Sequence, residues 1–327
     1  MKKPNAFDNL SEDDDIYRRQ LSIALENGGC QVTRAHMAPI DIPPTWQASF
    51  PGSGSRMTWS LVEAMTGIRT TDDYDTHDRG YERVVAVKTH YPVKDAFNSW
   101  QELDERYFQR AMVIFRNPMN AVPSYFNLQY EHIHNLPNHS TRGPNKDWLE
   151  YRNNPDFGLD VQLKGYEAFA TYWMDKYDDR SNLLLLSYED LTSQDLGSST
   201  AQRIADYLGE TEGVEPIDSK SIPCIWETVV NYKNHPPPAT QQEEVDTEVE
   251  VKNRKLRVSF AERYDPASER SGPRVRPYTA SNLQDFKDMF NRLMTKYSHD
   301  EEFVRIMESY IAKAESTKPI EDADVEV

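Results

Sequence analysis

Short apolar runs recur along the chain, and each is followed by a polar cluster and by a stretch of helical periodicity. The four runs cover residues 46–50, 83–87, 111–115 and 182–186. Because they are apolar on both faces, they are typical of parallel strands that helices cover on each side. The pattern therefore predicts an α/β fold with three layers, in which a central parallel sheet is flanked by helices.

The rest of the pattern predicts the other helices and the domain limits. Further helices are expected at about 13–27, 120–130, 161–177, 198–208, 219–232 with a break at Pro223, 281–297 and 300–314. Residues 71–78 indicate an acidic turn, and the acidic run 243–250 indicates a solvated segment. We expect a tail and helix over 1–40, one domain over 41–315 with insertions at about 131–160 and 236–257, and an acidic tail over 316–327.

Composition limits the class of ligand and the compartment. The net charge of −17 repels polyanions, so non-specific nucleic-acid binding is not expected. No apolar run approaches the ~20 residues of a transmembrane helix. The opening segment MKKPNAFDNLSEDDD lacks the apolar core of a secretory signal. We expect a soluble chain, cytoplasmic as it stands, or a Golgi-luminal one if an anchor precedes it.

The cysteines and histidines do not predict a metal centre. Cys30 and Cys224 are the two cysteines, and the sequence leaves open whether they pair. The spacing of His132, His134 and His139 and the carboxylates around them give little support to a metal site. We therefore expect no bound metal.

The stretch 45–67 predicts a strand, a tight loop and a helix. Gly52 and Gly54 allow the loop backbone to approach a bound group closely. The loop amides and the helix N-terminus then favour an anion, most naturally a phosphate. The plain alternative is a strand-to-helix turn that uses its glycines for geometry alone.

Polar clusters also follow the other three apolar runs. They are Lys88 to Pro92, Arg116 to Pro118, and Tyr188 to Leu191. In open parallel sheets, ligands bind at the carboxyl ends of the strands. We therefore expect Gly54, His90, Arg116 and Tyr188 to converge.

Taken in order, these four clusters resemble the cytosolic and Golgi sulfotransferases. Those enzymes move a sulfuryl group from 3′-phosphoadenosine 5′-phosphosulfate (PAPS) to a hydroxyl or an amine. Residues 51–59 resemble the family's 5′-phosphosulfate loop, and 88–92 resemble its lysine-threonine-histidine motif. Arg116 with Ser124 resembles the 3′-phosphate motif, and 188–191 resemble the segment that borders adenine. Residues 270–274 loosely resemble the family's basic C-terminal loop.

The resemblance implies a nucleotide-binding fold of the P-loop type, with PAPS as co-substrate and no metal requirement. It implies that His90 and Lys88 are catalytic. The residues that it implies for PAPS binding are Gly52, Ser53, Gly54, Ser55, Arg56, Thr58, Trp59, Arg116, Ser124, Tyr188, Arg270, Gly272 and Arg274. Gly52 replaces a lysine that is usual in the family, and two residues are inserted before Trp59. Arg56 is our candidate for supplying the missing charge.

The chemistry assigned to these residues has structural alternatives. His90 suits a general base at neutral pH, or it is a hydrogen-bonded structural histidine. Lys88 suits the stabilisation of charge during transfer, or it is a surface lysine. Trp59 stacks on adenine or belongs to the core. The aromatic residues of 125–173 line a sugar or phenol site or belong to the core.

We favour a carbohydrate hydroxyl as acceptor, with a small phenol or alcohol second. An ATP-dependent kinase is the first rival, but the loop lacks the glycine-lysine-serine/threonine ending of a true P-loop. No aspartate directly ends an apolar run to hold magnesium. A non-catalytic nucleotide-binding protein is the second rival, and the presence of both His90 and Lys88 weighs against it.

Overall fold

Five parallel strands form one sheet within the residues that the computed structural model describes, which are 30, 35–73, 81–93, 103, 105–136, 141–177, 179–231 and 276–321. The strands are β1 (Thr45–Ser49), β2 (Thr70–Asp72), β3 (Ala86–Thr89), β4 (Arg110–Phe115) and β5 (Leu183–Ser187). Their order across the sheet is β2-β3-β1-β4-β5.

Helices connect these strands and follow the last one. They are α1 (Ser55–Thr66), α2 (Pro118–Ile133), α3 (Asn145–Arg152), α4 (Leu159–Lys176), α5 (Tyr188–Leu191), α6 (Gly197–Gly209), α7 (Ile222–Val229), α8 (Ala280–Lys296) and α9 (Glu301–Ser316). The predicted helix at 13–27, the insertion at 236–257 and the acidic run 243–250 lie outside the described residues.

Both faces of the sheet are buried under helices. Ala111, Val113 and Phe115 of β4 belong to an apolar cluster shared with α2, α4, α8 and α9. Met112 and Ile114 belong to a second cluster shared with α1, α6 and α7. Successive side chains of a strand point to opposite faces, so helices cover each side. This confirms the predicted α/β fold with a central parallel sheet flanked by helices.

The chain leaves the neighbouring strands β1 and β4 in opposite directions. From β1 it passes through α1 to β2 at one edge, and from β4 it passes through α2, α3 and α4 to β5 at the other. Such a reversal opens a crevice at the carboxyl ends of the two strands. The glycine loop after β1 and Arg116 after β4 both lie at this crevice.

The structure corrects two strand predictions. The strand predicted at 83–87 begins and ends too early. The backbone N–H of Val84 donates to the carbonyl of Tyr81 in a turn, and β3 starts only at Ala86. Lys88 and Thr89 are thus part of the strand. The prediction of an acidic turn at 71–78 was wrong for its first two residues, which belong to β2. This short polar strand pairs with β3 at the edge of the sheet.

The structure also corrects two helix predictions. The insertion at 131–160 is not wholly irregular, because α3 lies within it and buries Trp148 and Tyr151 in the core. Pro223 does not break a helix over 219–232. It stands in the first turn of α7, where a proline is well tolerated because its missing N–H would have no partner.

Cys30 and Cys224 form a disulfide bond, with their Cα atoms 5.6 Å apart. This answers the question of pairing that the sequence left open. The bond ties the N-terminal part of the chain to α7. Among the described residues, no helix has the length and apolar character needed to cross a bilayer.

Candidate active site

The loop after β1 takes its shape from two glycines. Gly52 has φ 81° and Gly54 has φ 82°, a region that residues with a Cβ rarely adopt. A Cβ on Gly52 would lie 2.3 Å from the carbonyl oxygen of Ala121 in α2. No side chain fits at Gly52 in this conformation. The loop lysine of the sulfotransferases therefore has no place at this position.

Tyr188 lies between Gly54 and Arg116. A Cβ on Gly54 would come within 2.5 Å of the Cε2 atom of Tyr188. On the other side, the Cζ atom of Arg116 is 4.2 Å from the centroid of the Tyr188 ring. Arg116 Nη1 also donates a hydrogen bond to the carbonyl of Gly52. Residues from three separate motifs are thus in contact at the crevice.

The first turn of α1 opens directly from this loop without a side-chain cap. Gln47 of β1 fixes its start, because its Nε2 donates to the carbonyl of Ser55 over 2.7 Å. The Thr58 hydroxyl donates back to the carbonyl of Gly54 over 3.3 Å, so it acts within the helix. The remaining first-turn N–H groups lie at a positive helix end, which suits an anion.

Several buried polar atoms around the loop have no hydrogen-bond partner within the described part of the chain, among them Oε1 of Gln47 and Oγ of Ser49 at the end of β1. Two others belong to the predicted site, the Oγ of Ser53, which is 0% exposed, and the Nε of Arg116. A buried polar group left without a partner costs about 1–3 kcal/mol. Both atoms carry a proton to donate, so they are suited to a ligand with acceptor oxygens.

His90 follows β3 directly, and its ring is held in one orientation. Its Nδ1 lies 2.7 Å from the carbonyl oxygen of Ser49, the last residue of β1. A carbonyl oxygen only accepts, so Nδ1 carries the proton and Nε2 is the basic nitrogen of the neutral ring. The ring is 8% exposed. This arrangement provides a proton acceptor at a fixed place on the sheet edge.

Lys88 precedes His90 by two residues and lies in a charged environment. Its Nζ is 3.8 Å from Oδ2 of Asp72 in the neighbouring strand β2. The same Nζ is 6.0 Å from the centroid of the Trp59 ring, and Arg56 Cζ is 5.8 Å from that centroid. Lys88 and Arg56 therefore both lie near the indole of Trp59.

Trp59 is 6% exposed, and its Nε1 donates to Oε1 of the buried Glu63 over 3.0 Å. The backbone N–H and the hydroxyl of Thr70 donate to the same oxygen over 2.7 and 2.9 Å. This setting favours the interpretation of Trp59 as a core residue. Sequence reasoning missed Glu63, because its partner Thr70 belongs to the strand that was not predicted.

A second, half-buried carboxylate lies behind Arg116. Glu189 accepts from the backbone N–H of Asn117 and from the Tyr310 hydroxyl, each over 3.0 Å. Burial raises the pKa of the Glu189 carboxyl, and the Arg116 guanidinium opposes that change. These contacts join α5 to the start of α2 and to α9. Nothing in the local sequence pattern indicated Tyr310.

A proline inside α2 connects the site to the C-terminal helices. Pro123 has no N–H to donate to the carbonyl of Met119 one turn earlier. The Tyr278 hydroxyl donates to the carbonyl of Met119 instead, over 2.9 Å. Ser124, the predicted partner of Arg116 at the 3′-phosphate, is half-buried on the same turn. It adjoins Tyr125, whose backbone N would lie 3.0 Å from a Cβ on Gly52.

Arg276 anchors the segment that leads into α8. Its Nη2 donates to the Asn127 side chain and to the carbonyl of Gly143, over 2.6 and 2.7 Å. Burial and, to a smaller extent, nearby Arg142 lower the pKa of this guanidinium to about 10. The predicted cofactor residues Arg270, Gly272 and Arg274 lie outside the described residues.

The aromatic residues of 125–173 belong mainly to the core. The buried ones are Tyr125, Phe126, Trp148, Tyr151, Tyr166, Phe169 and Trp173, whereas Tyr130 and Tyr172 are half-buried and Phe157 is exposed. They therefore do not identify the acceptor. Within the described ranges, no group of three His, Cys, Asp or Glu residues is placed to hold a metal ion.

Comparison with known proteins gives a limited match. No family model matches the chain. The chain is 27% identical over 155 residues to "WSCD family member CG9164" of Drosophila melanogaster, and the match covers 44% of each chain. "WSCD family member GA21586" of Drosophila pseudoobscura pseudoobscura gives the same identity and coverage. The chain thus matches less than half the length of these curated relatives.

Proposed function

We propose that this chain is a sulfotransferase that moves a sulfuryl group from PAPS to a hydroxyl acceptor. The observation that carries the proposal is the setting of His90. Its Nδ1 is bound to the carbonyl of Ser49, which makes Nε2 the basic nitrogen, and Lys88 stands two residues away. A histidine paired with a cation at the end of a parallel strand suits transfer to a hydroxyl.

The chemistry of the neighbouring donors supports PAPS as co-substrate. The glycine turn, the uncapped start of α1 and the unpartnered Ser53 Oγ would hold the 5′-phosphosulfate. Arg116 and Ser124 would hold the 3′-phosphate, since a guanidinium suits phosphate oxygens. Tyr188 would border the adenine. With these donors, the sheet would belong to the P-loop type of nucleotide-binding fold.

Each step is assigned to a residue of this chain. His90 Nε2 takes the proton of the acceptor hydroxyl as its oxygen bonds to sulfur. The bond between sulfur and the phosphate oxygen breaks, and adenosine 3′,5′-bisphosphate (PAP) leaves. Lys88 and Arg56 neutralise the charge that builds on the sulfuryl group and the leaving oxygen. Most of the rate enhancement then comes from positioning and charge, and no metal is required.

We favour a carbohydrate hydroxyl as acceptor, with a small phenol or alcohol as the alternative. The support is the glycine-rich loop that lacks a lysine, a feature shared with the glycan-modifying branch of the resembled family. Gly52 leaves no room for that lysine. We therefore assign the charge of the loop to Arg56 in the first turn of α1.

The test is transfer from radiolabelled PAPS across a panel of sugars, phenols and sterols. His90→Ala should reduce the rate by ~10²–10⁴, the usual effect of losing a general base, and leave PAP affinity almost intact. His36→Ala is a matched control, because His36 is exposed. If His90→Ala keeps more than half the wild-type rate, His90 has no part in the reaction.

A further inference from the structure

The short edge strand β2 lies against the segment that carries Lys88 and His90. It pairs with β3 in parallel register, with Thr70 opposite Ala86 and Asp72 opposite Lys88. Asp73 follows β2 directly. The sequence indicated only an acidic turn here, and the proposed reaction has assigned Asp73 no role.

Asp73 contacts the Lys88–Tyr91 segment at two points. Its backbone N–H donates to the carbonyl of Lys88 over 3.1 Å. Its Oδ2 accepts from the Thr89 hydroxyl over 2.6 Å. The Thr89 oxygen in turn accepts from the backbone N–H of Tyr91 over 2.9 Å. A relay from Asp73 through Thr89 to Tyr91 thus spans the backbone on either side of His90.

The chemistry of this relay needs a carboxylate or an amide at position 73. Thr89 is fully buried, and the single proton of its hydroxyl is donated in the hydrogen bond to Asp73. Its lone pairs are then directed to the amide of Tyr91. A hydrogen bond to an ionised acceptor is about twice as strong as a neutral one, so Asp73 polarises the whole relay.

The relay also has a cost, which suggests a role beyond packing. Burial raises the pKa of the Asp73 carboxyl, the Thr89 hydrogen bond lowers it and nearby Asp72 raises it, and the resulting pKa is about 6. Lys88 is the cation that opposes these effects. Oδ1 of Asp73 is buried and has no partner in the described residues. A turn that only ended β2 would not need a charge placed this way.

We propose that Asp73 is a positioning residue of the transfer reaction, acting through Thr89 to hold the Lys88–Tyr91 backbone so that Lys88 and His90 keep their reacting geometry. The inference rests on the proposed function. Asp73 itself touches neither the sulfuryl group nor the acceptor. Its loss should therefore affect turnover rather than the binding of PAPS, because the glycine loop follows β1 and Arg116 follows β4, whereas Asp73 contacts the end of β3.

The test compares Asp73→Ala, Asp73→Asn and Thr89→Val in the full chain. Asp73→Ala removes the acceptor, Thr89→Val removes the hydroxyl while keeping the shape, and Asp73→Asn keeps an acceptor oxygen. Thr211→Val is the control, since that buried threonine accepts from Arg110 at the opposite end of the sheet. The measurements are kcat, KM for PAPS, PAP affinity, melting temperature and amide exchange in residues 88–93.

Asp73→Ala and Thr89→Val should each lower kcat about tenfold or more, since misplacement of reacting groups has effects of this size. KM for PAPS and PAP affinity should stay near wild type. Amide exchange in residues 88–93 should become faster. The double variant should lose no more than either single one, because both remove the same relay. Asp73→Asn should recover most of kcat.

Two outcomes separate this inference from the proposed function. A wild-type protein that transfers nothing from PAPS to any acceptor would overturn the proposed function, and the positioning role with it. An active wild type would overturn the inference alone if kcat of Asp73→Ala and Thr89→Val stays within about twofold of it. Losses equal to that of Thr211→Val, or unchanged exchange in 88–93, would also contradict the inference.

Discussion

At the scale of single residues, Arg116 is the point where the motifs of the site meet. Its guanidinium contacts the carbonyl of Gly52 and the ring of Tyr188, and the carboxylate of Glu189 lies close enough to be affected by it. The planar group can do this because it donates from its edge and stacks with its face. A lysine would supply the charge without the fork or the stacking.

Arg116→Ala should weaken PAP binding far more than binding of adenosine 5′-phosphosulfate, which lacks the 3′-phosphate. A charged hydrogen bond is worth about 1.5–3 kcal/mol, so PAP affinity should fall roughly 10–100-fold. Calorimetry with both ligands measures the difference. Arg203→Ala, an exposed arginine of α6, is the control. Equal losses for the two ligands would show that Arg116 does not recognise the 3′-phosphate.

Asp73 also determines a pH dependence of stability. Its carboxyl has a folded pKa of about 6, above its ordinary value of 3.8, because burial disfavours the charge. The folded state therefore holds this proton more tightly than the unfolded state does. The resulting stabilisation is fully present below pH 3.8 and is lost as pH rises through about 6.

Asp73→Asn should therefore raise the free energy of unfolding at pH 7.5 by about 1–3 kcal/mol, since one pKa unit corresponds to ~1.4 kcal/mol. At pH 4 the difference from wild type should largely vanish. Urea unfolding at the two pH values measures it, with exposed Asp156→Asn as the control. A variant that is less stable than wild type at pH 7.5 would show that the charge is not a burden on folding.

At the scale of elements, the loop between β1 and α1 depends on close contacts that only glycine permits. Gly54→Ala would place a Cβ 2.5 Å from Tyr188 at a φ of 82°. We expect a melting temperature several degrees lower, since strain in this backbone region costs of order 1–3 kcal/mol. We also expect PAP affinity to fall, because Tyr188 and the loop must separate.

Gly165→Ala is the matched control for this loop substitution. Gly165 lies inside α4, and its added Cβ would meet Phe50 and Val93 at an ordinary 3.8 Å. Alanine is favoured over glycine in a helix by about 1 kcal/mol, so stability should hold or rise. Adding Tyr188→Ala to Gly54→Ala removes the clash and leaves the backbone strain. If Gly54→Ala binds PAP like wild type, the loop does not bind the ligand in this form.

The sequence predicted those elements whose pattern is local and strong. The strands β1, β4 and β5 were found within one residue, β4 and β5 because each has an unbroken apolar core and β1 because its apolar residues lead directly into the glycine turn. The strand β2 was missed because Thr70, Thr71 and Asp72 are polar, and only pairing with β3 makes them a strand. The contact of Tyr310 with Glu189 could not be predicted, since the fold brings together residues that lie far apart in the sequence. The contacts of Gln47 and Glu63 are closer in sequence, but they depend on the shape of the loop after β1 and on the strand β2.

At the scale of the whole molecule, the Cys30–Cys224 disulfide joins parts of the chain 194 residues apart. A crosslink over so long a loop restricts the unfolded chain, and native disulfides typically contribute about 2–4 kcal/mol. Disulfides of this kind persist mainly in oxidising compartments.

Cys30→Ser combined with Cys224→Ser should lower the free energy of unfolding by about 2–4 kcal/mol. Reduction of the wild type should lower its melting temperature to that of the variant. PAP affinity should change little, because α7 packs against α6 and the far side of α1. Intact mass under non-reducing conditions should show both thiols oxidised. Two free thiols in protein purified under oxidising conditions would contradict the crosslink.

The central claim is transfer of a sulfuryl group without a metal, and one assay tests it most directly. Radiolabelled PAPS and ATP are compared in parallel, each in excess EDTA and in magnesium. A kinase needs magnesium to neutralise its highly charged phosphates. Lys88, Arg56 and the amides of the glycine loop should meet the smaller charge of a sulfuryl group. We predict label transfer from PAPS in EDTA and none from ATP in either condition. Transfer from ATP that strictly requires magnesium would contradict the account and the roles of His90 and Lys88.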